Sequence, residues 1–438
     1  MFEPLYTADE MRAAEQGHDV DAMMERAGRA VAEAVLRRYP DARRIGAVCG
    51  KGANGGDGRI ALRILAEGGR ETSEEVDGAD VIVDALFGTG FHGAPRDDAA
   101  ELIHRINAAD AAVVAVDLPS GVDASTGEVA GAAVQADVSV TMHARKVGLA
   151  VAPGRFHAGD VEVADIGIER SHTRHRLVTE EILRLVPSKR PYDTKYSAGA
   201  VLVVGGAPGL TGAVCLAAEA AFRADAGYVA VAAPAASLPV VEARLLEAVK
   251  APLERVDELA GRASAFAIGP GLGRGDEAHA LVRRLLAELE LPAVVDADAL
   301  HALEPGDWPA PRVLTPHSGE LGRLIRRESA WVDAHRLDAV QQAAETFRCV
   351  VLLKGADTLV AAPDQGVLVS SSGTPALAVA GTGDVLTGIV AAFLAKGVEA
   401  RLAAAAAAFA HGRAAQLVSH RRGVIASDLI AALPETLP

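Results

Sequence analysis

The chain of 438 residues sets 43 Lys+Arg against 58 Asp+Glu, a formal net charge of −15, with 50 % hydrophobic residues, 44 Gly and only 4 % aromatics. That length accommodates two or three domains, and the apolar fraction is ample for their cores, which excludes wholesale disorder. An acidic chain poor in aromatics lacks both the basic stripe and the stacking platforms of a nucleic-acid binder.

The stretch from Met1 to Gln16 has no basic n-region and no apolar h-region, so no secretory leader is expected. Helical periodicity runs from about Thr7 to Arg38. A short strand, Ile45 to Cys49, then leads into the loop Gly50 to Gly58, and the pattern RIALRILAEG predicts a helix directly after it. Strand, Gly-rich turn and helix together form the repeating unit of a doubly wound sheet. Continuous apolar runs at 79–90, 111–121 and 136–142 read as further strands covered on both faces. The rhythm fades near Ile166. A polar, His- and Arg-rich stretch predicts a domain join between Glu169 and Tyr192, giving domains 1–172 and 177–438. Beyond it the alternation restarts at GAVLVVGGAPG, with strand-like runs YVAVAAP, AFAIGPGLG, PAVVDADAL, RVLTPHSGE and CVVLLKGA. A hairpin is expected over 358–375, and then a Gly turn opening a helix at GTGDVLTGIVAAFLA. The expected fold class is α/β throughout, with a mostly parallel sheet between helices in each half.

Cys49, Cys215 and Cys349 are odd in number, widely spaced and set in apolar surroundings, which predicts buried thiols in a reducing compartment. The apolar stretches 201–221 and 402–410 are interrupted or too short to cross a bilayer. A soluble cytoplasmic protein without a nucleic-acid or membrane partner, and a homo-oligomer, is expected.

Three strand ends in the first half carry chemistry. Ala53-Asn54-Gly55-Gly56-Asp57-Gly58 brings backbone amides to a helix N-terminus, suited to an anion, although Asp57 equally fits a helix N-cap. Asp84, ahead of Gly88-Thr89-Gly90, and Asp117, in Asp117-Leu118-Pro119-Ser120-Gly121, each end an apolar strand. A carboxylate there must be solvated, paired or holding a cation. Asn54, Asp84 and Ser120 together offer oxygen ligands for a monovalent cation, which leaves Asp117 to act on substrate as acid or base.

These motifs, with Met23-Met24-Glu25-Arg26-Ala27-Gly28, the run VDLPSGVDASTG from Val116 and the tail containing Lys146 and Gly148, resemble the YjeF N-terminal family of NAD(P)H-hydrate epimerases. The resemblance implies a Rossmann-like three-layer sandwich with potassium on Asn54, Asp84 and Ser120. It implies substrate contacts from Ala53, Asn54, Gly55, Gly56 and Asp57, from Gly88, Thr89, Gly90, Phe91, His92, Gly93 and Ala94, and from Asp117. Two departures stand out. Ala53 replaces the family's Asn, and the short stretch 66–78 implies a sheet trimmed by one strand and helix.

In the second half Gly381-Thr382-Gly383-Asp384 precedes a helix, an arrangement of amides and carboxylate suited to phosphoryl transfer. Lys354-Gly355-Ala356-Asp357-Thr358 adds a cation, amides and a hydroxyl. His317 and Glu320 lie three apart after another strand, and 269–273 and 296–298 complete a ring of strand-end loops. No P-loop signature is present. Over 195–433 this half resembles the YjeF C-terminal family, the ADP- or ATP-dependent NAD(P)H-hydrate dehydratases of the ribokinase-like superfamily. By that resemblance Lys354 to Thr358 and Gly381, Thr382 and Gly383 contact the adenine nucleotide. Ala213, Gly271, Gly273, His317 and Asp384 contact substrate, with Asp384 the catalytic base, and Glu320 stands where relatives are associated with magnesium. Thr194-Lys195-Tyr196 departs from the family's His-Lys-Gly.

The function implied is repair of hydrated NADH or NADPH, by epimerisation in the first domain and by phosphorylation and elimination in the second. Two alternatives stay open: a dehydratase with a non-catalytic N-terminal binding or scaffold domain, and a small-molecule hydroxyl kinase.

Overall fold

The computed structural model describes every residue except 170 and 421. The chain divides into two compact units. The first comprises Pro4–Arg176 and Asp333–Leu337; the second comprises Met1–Glu3, Leu177–Val332 and Asp338–Pro438.

The first unit begins with helices α1 (Ala8–Glu15) and α2 (Val20–Arg38). The helical periodicity expected from Thr7 to Arg38 forms two helices, separated where Gly17 adopts φ +84° and Asp19 caps the Ala22 amide of α2. A six-stranded parallel sheet follows: β1 (Arg44–Cys49), β2 (Glu71–Ser73), β3 (Val81–Ala85), β4 (Ala112–Val116), β5 (Val138–Met142) and β6 (Asp160–Ala164), in the order β2-β1-β3-β4-β5-β6. Alternate side chains face opposite layers. Val81, Val83, Val114 and Val116 pack towards α2 and α3 (Ala53–Glu67), while Ile82, Val113 and Ala115 pack with Ile103 and Ile106 of α4 (Asp97–Ala108). The trimming expected between 66 and 78 is partial. The strand survives as three-residue β2 on the sheet edge, and among the described residues only the helix after it is missing.

In the second unit the strands include β7 (Ala200–Val204), β8 (Tyr228–Ala233), β9 (Val249–Pro252), β10 (Ala265–Ile268), β11 (Ala293–Val295), β12 (Arg312–Leu314), β13 (Val350–Leu353), β14 (Thr358–Ala361) and β15 (Leu368–Ser370). They lie in the order β15-β14-β13-β12-β11-β10-β7-β8-β9. Pairing is parallel up to β13. The β13–β14 and β14–β15 pairs are antiparallel, so the expected hairpin over 358–375 is present. Helix α5 (Thr211–Arg223) and the helix Thr382–Ala395 pack side by side in the main core. In both sheets the chain changes direction across one central strand, between β1 and β3 and between β7 and β10. In open α/β sheets the crevice at such a switch point receives ligands.

Two candidate active sites at strand ends

In the first unit α3 starts at Ala53, only four residues after β1. The run read as a Gly-rich loop is therefore the opening of the helix, with Gly52 as its N-cap and no side chain capping it. Only glycine fits at 55, because a methyl there would lie 2.0 Å from the Gly50 carbonyl oxygen. Asp57 is accordingly not an N-cap but the fifth residue of α3.

A cavity of about 950 Å³ opens over these strand ends. Ala53, Asn54, Asp57, Gly88, Thr89, Gly90, Phe91, His92, Ala94 and Asp117 line it, whereas Gly55, Gly56 and Gly93 do not. Glu15, Cys49 and Lys146 also line it. Lys146 is fully buried. Its ammonium donates to Asp117 Oδ1, to Thr141 Oγ1 at 3.0 Å and to the Met142 carbonyl at 2.8 Å. Asp117 sits at φ +68° with Oδ1 also accepting from the Thr141 hydroxyl and the Met142 amide, so its position is held by three donors. Asp57 differs. It is 8 % exposed, its Oδ1 has no hydrogen-bond partner, and burial, followed by the charges of Asp117 and Glu15, pushes its carboxyl up to about 8. The Glu15 carboxyl is likewise raised, first by burial and then by Asp117.

Asn54, Asp84 and Ser120 converge beside this cavity. The Ser120 amide and hydroxyl donate to Asp84 at 2.7 and 2.6 Å, Ser120 Oγ accepts from the Phe87 amide, and Asn54 Nδ2 donates to the Phe87 carbonyl. Asp84 is fully buried, which pushes its carboxyl up to about 6 against the hydrogen bonds from Ser120 and the Leu86 amide. A buried carboxylate, an Asn side-chain oxygen and a hydroxyl supply the oxygen donors that a hard cation takes. Among the described residues no group of three or more His, Cys, Asp or Glu is arranged for a metal ion.

In the second unit the loops after β7 and β10 flank the switch point and are tied by the Ala207 amide donating to the Gly271 carbonyl at 2.6 Å. Ala213 lies in the first turn of α5, and the Gly273 amide donates to Asp298 at 3.0 Å. At the centre Lys354 donates to Asp296 Oδ1 at 2.8 Å and stands 3.8 Å from Glu320, while Thr387 donates to Asp296 Oδ2 at 2.7 Å. Burial works against the Lys354 charge, but Asp296 and then Glu320 outweigh it and raise its pKa. Asp384 is half-buried in the first turn of the helix Thr382–Ala395, behind the N-cap Gly381 at φ +90°. Burial, then the charge of Asp296, pushes its carboxyl up to about 7, and Lys354 pulls the other way. The Thr382 hydroxyl is committed to the Leu377 and Val379 carbonyls, and its amide also donates to the Val379 carbonyl. His317 and Glu320 form a reciprocal cap on the helix Ser318–Ile325. Gly355, Ala356 and Asp357 form the turn between β13 and β14, which opens at Thr358.

Lys146 and Glu15 were outside the site expected from sequence, whereas Asp296 belonged to its ring of strand-end loops without an assigned role. Asp296 had a signal, as an acid ending an apolar strand. Lys146 had a weaker one, and Glu15, on an ordinary amphipathic helix, had none.

Residues 201–437 match the NAD(P)H-hydrate dehydratase family, and residues 20–73 and 69–148 match the family described as YjeF-related protein N-terminus. The bifunctional NAD(P)H-hydrate repair enzyme of Moorella thermoacetica is 39 % identical, over 95 % of this chain and 92 % of its own. That of Escherichia coli is 32 % identical, over 98 % and 93 %. The crystal structure of ADP/ATP-dependent NAD(P)H-hydrate dehydratase from Bacillus subtilis, co-crystallised with ATP and Mg2+, superposes with a TM-score of 0.55 at 28 % identity, covering 59 % of this chain and 96 % of that one. The chain therefore belongs to the family of bifunctional NAD(P)H-hydrate repair enzymes, with a YjeF-related N-terminal domain followed by a dehydratase domain.

Proposed function

We propose that this chain restores hydrated NADH and NADPH, the first unit interconverting the R and S hydrates and the second dehydrating the S form at the expense of ADP or ATP. The observation that carries the reading is Asp384: a carboxyl held near neutrality, at the amide-rich start of a helix, beside the Lys354–Asp296 pair. Hydroxide is a poor leaving group and phosphate a good one. Asp384 takes the proton of the substrate hydroxyl as that oxygen attacks the terminal phosphorus. The Gly381 and Gly383 amides and Lys354 stabilise charge on the transferring group; the carbon–oxygen bond then breaks with help from the ring-nitrogen lone pair, and the departing phosphate carries off a proton from the neighbouring ring carbon, which returns the reduced ring. Lys354 to Thr358 hold the nucleotide, while Ala213, Gly271, Gly273 and His317 hold the hydrate. Glu320 is assigned to the magnesium ion that accompanies the nucleotide and offsets phosphate charge. In the first unit the α3 amides and the 88–94 loop hold the dinucleotide, and Asp117 serves as base. Asn54, Asp84 and Ser120 are assigned to a potassium ion, which supplies positive charge at this strand end. The chain is assigned to the cytoplasm, where such dinucleotides are used; among the described residues no helix is long and apolar enough to cross a membrane.

The test follows recovery of reduced-nicotinamide absorbance from separate R and S hydrates, with ADP and with ATP, in potassium and in choline buffers. Rapid recovery from S, and recovery from R faster than spontaneous epimerisation and dependent on potassium, is expected. A stable phosphorylated product without recovery makes the second unit a kinase. Turnover of R no faster than the spontaneous rate makes the first unit a binding module.

A further inference from the structure

The first cavity holds more acid than one base requires. Asp57 enters it from α3, Glu15 from the end of α1 and Asp117 from the end of β4, while Lys146 is the buried cation. That cation is spoken for: it donates to Asp117, Thr141 and the Met142 carbonyl. Asp57 thus has two carboxylates facing it and no donor on Oδ1. A charged carboxylate is costly in such a place, whereas a neutral carboxyl is not, and it presents a proton to the cavity. Asp117 has the opposite character. Its Oδ1 collects three donors, which stabilises the anion, and Oδ2 remains to accept a proton.

We infer that Asp57 is a second catalytic residue of the epimerase, a proton donor that works against Asp117 as base to open and reclose the hydrated ring. This rests on the epimerase reading of the first unit. The hydroxyl-bearing carbon of the hydrate is bonded to the ring nitrogen. Asp117 removes the hydroxyl proton, the carbon–nitrogen bond breaks with its electron pair going to nitrogen, and nitrogen takes the Asp57 proton. The carbon is then an aldehyde. Rotation about its bond to the next ring carbon presents the other face. Nitrogen attacks that face and returns its proton to Asp57, while the new alkoxide takes back the proton from Asp117. No oxidant, reductant or second substrate enters, and both carboxyls end as they began.

The experiment uses the full chain with Asp57→Asn, following R-to-S conversion chromatographically and dehydration of purified S hydrate in parallel. Epimerisation kcat is expected to fall by about 100-fold or more with KM changed less than about threefold, while dehydration is unaltered. The wild-type kcat is expected to decline above pH about 8, as Asp57 loses its proton, and the residual rate of the variant is expected to lack that limb. Where Asp57→Asn proves poorly folded, Asp57→Ala with added formate decides, since recovery of kcat requires a missing carboxyl. A variant that keeps wild-type kcat, shows only a KM effect, retains the alkaline decline or is not rescued by formate overturns the assignment. A wild-type chain that fails to interconvert R and S overturns the epimerase reading itself, and this inference with it.

Discussion

Asp384 and Asp57 are carboxyls in similar surroundings to which opposite uses are assigned. Both are pushed upward mainly by burial, to about 7 and about 8, but Lys354 lies near the first, while Lys146, near the second, is bound to Asp117. A base must be unprotonated to act, so dehydration should rise with pH as Asp384 ionises and level off above about 7. Asp384→Asn should lower dehydratase kcat by about 100- to 10,000-fold, abolish that rise and leave epimerisation untouched, as steady-state rates between pH 5.5 and 9 would show. Full dehydratase activity in the variant would remove the base assignment. The positions of Asp84, Asp117 and Asp384 were legible in sequence because an acid ending an apolar strand, or following a Gly turn, needs an explanation wherever it occurs. Lys146 reaches Asp117 across 29 residues. Glu15 meets the cavity only through the packing of α1, so no local pattern announced it.

At the scale of elements, the misread segment is the start of α3. Ala-Asn-Gly-Gly-Asp-Gly has poor helix propensity and reads as loop. Tertiary packing overrides propensity here, since the small side of the turn is needed where Gly55 passes the Gly50 carbonyl. The edge strand β2 was equally obscure: three residues between turns carry no periodicity. Buried strands such as β4 and β7, apolar on both faces, were readable throughout. The same close packing sets a testable constraint on the helix that carries Asp384. Gly388 lies against α5 so tightly that a methyl would come within 2.1 Å of the Ala217 carbonyl oxygen and 2.9 Å of Ala220 Cβ. Neither neighbour is a flexible side-chain end. Gly388→Val should therefore part the two helices, destabilising the second unit by about 1–3 kcal/mol and lowering dehydratase activity. Both tryptophans of the chain, Trp308 and Trp331, belong to this unit, so urea unfolding followed by tryptophan fluorescence reads its stability alone. An unchanged midpoint would mean that the helices tolerate separation.

At the scale of the whole molecule the surplus of acid sets how ligands arrive. Hydrated NADH, hydrated NADPH and ADP are all anions, and a chain of net charge −15 repels them at long range. The charges that favour binding are short-range and partly spent: Lys146 is bound to Asp117 and Lys354 to Asp296. Helix-terminal amides act over a single turn. Affinity on this reading comes from contact, not from steering. Added salt screens the long-range repulsion, with a Debye length of about 10 Å near 0.1 M, but scarcely touches buried pairs. At fixed potassium and magnesium, raising choline chloride from about 20 to about 200 mM should leave kcat/KM for hydrated NADH and for ADP unchanged or raise it by up to about threefold. A steered enzyme behaves oppositely, its kcat/KM falling steeply over the same range. A fall of about fivefold or more would show that a local positive field at the mouth of a site dominates the charge of the molecule. In the first unit Lys51 and Arg96, which line the cavity, would be its source, and neutralising them should then abolish the salt dependence.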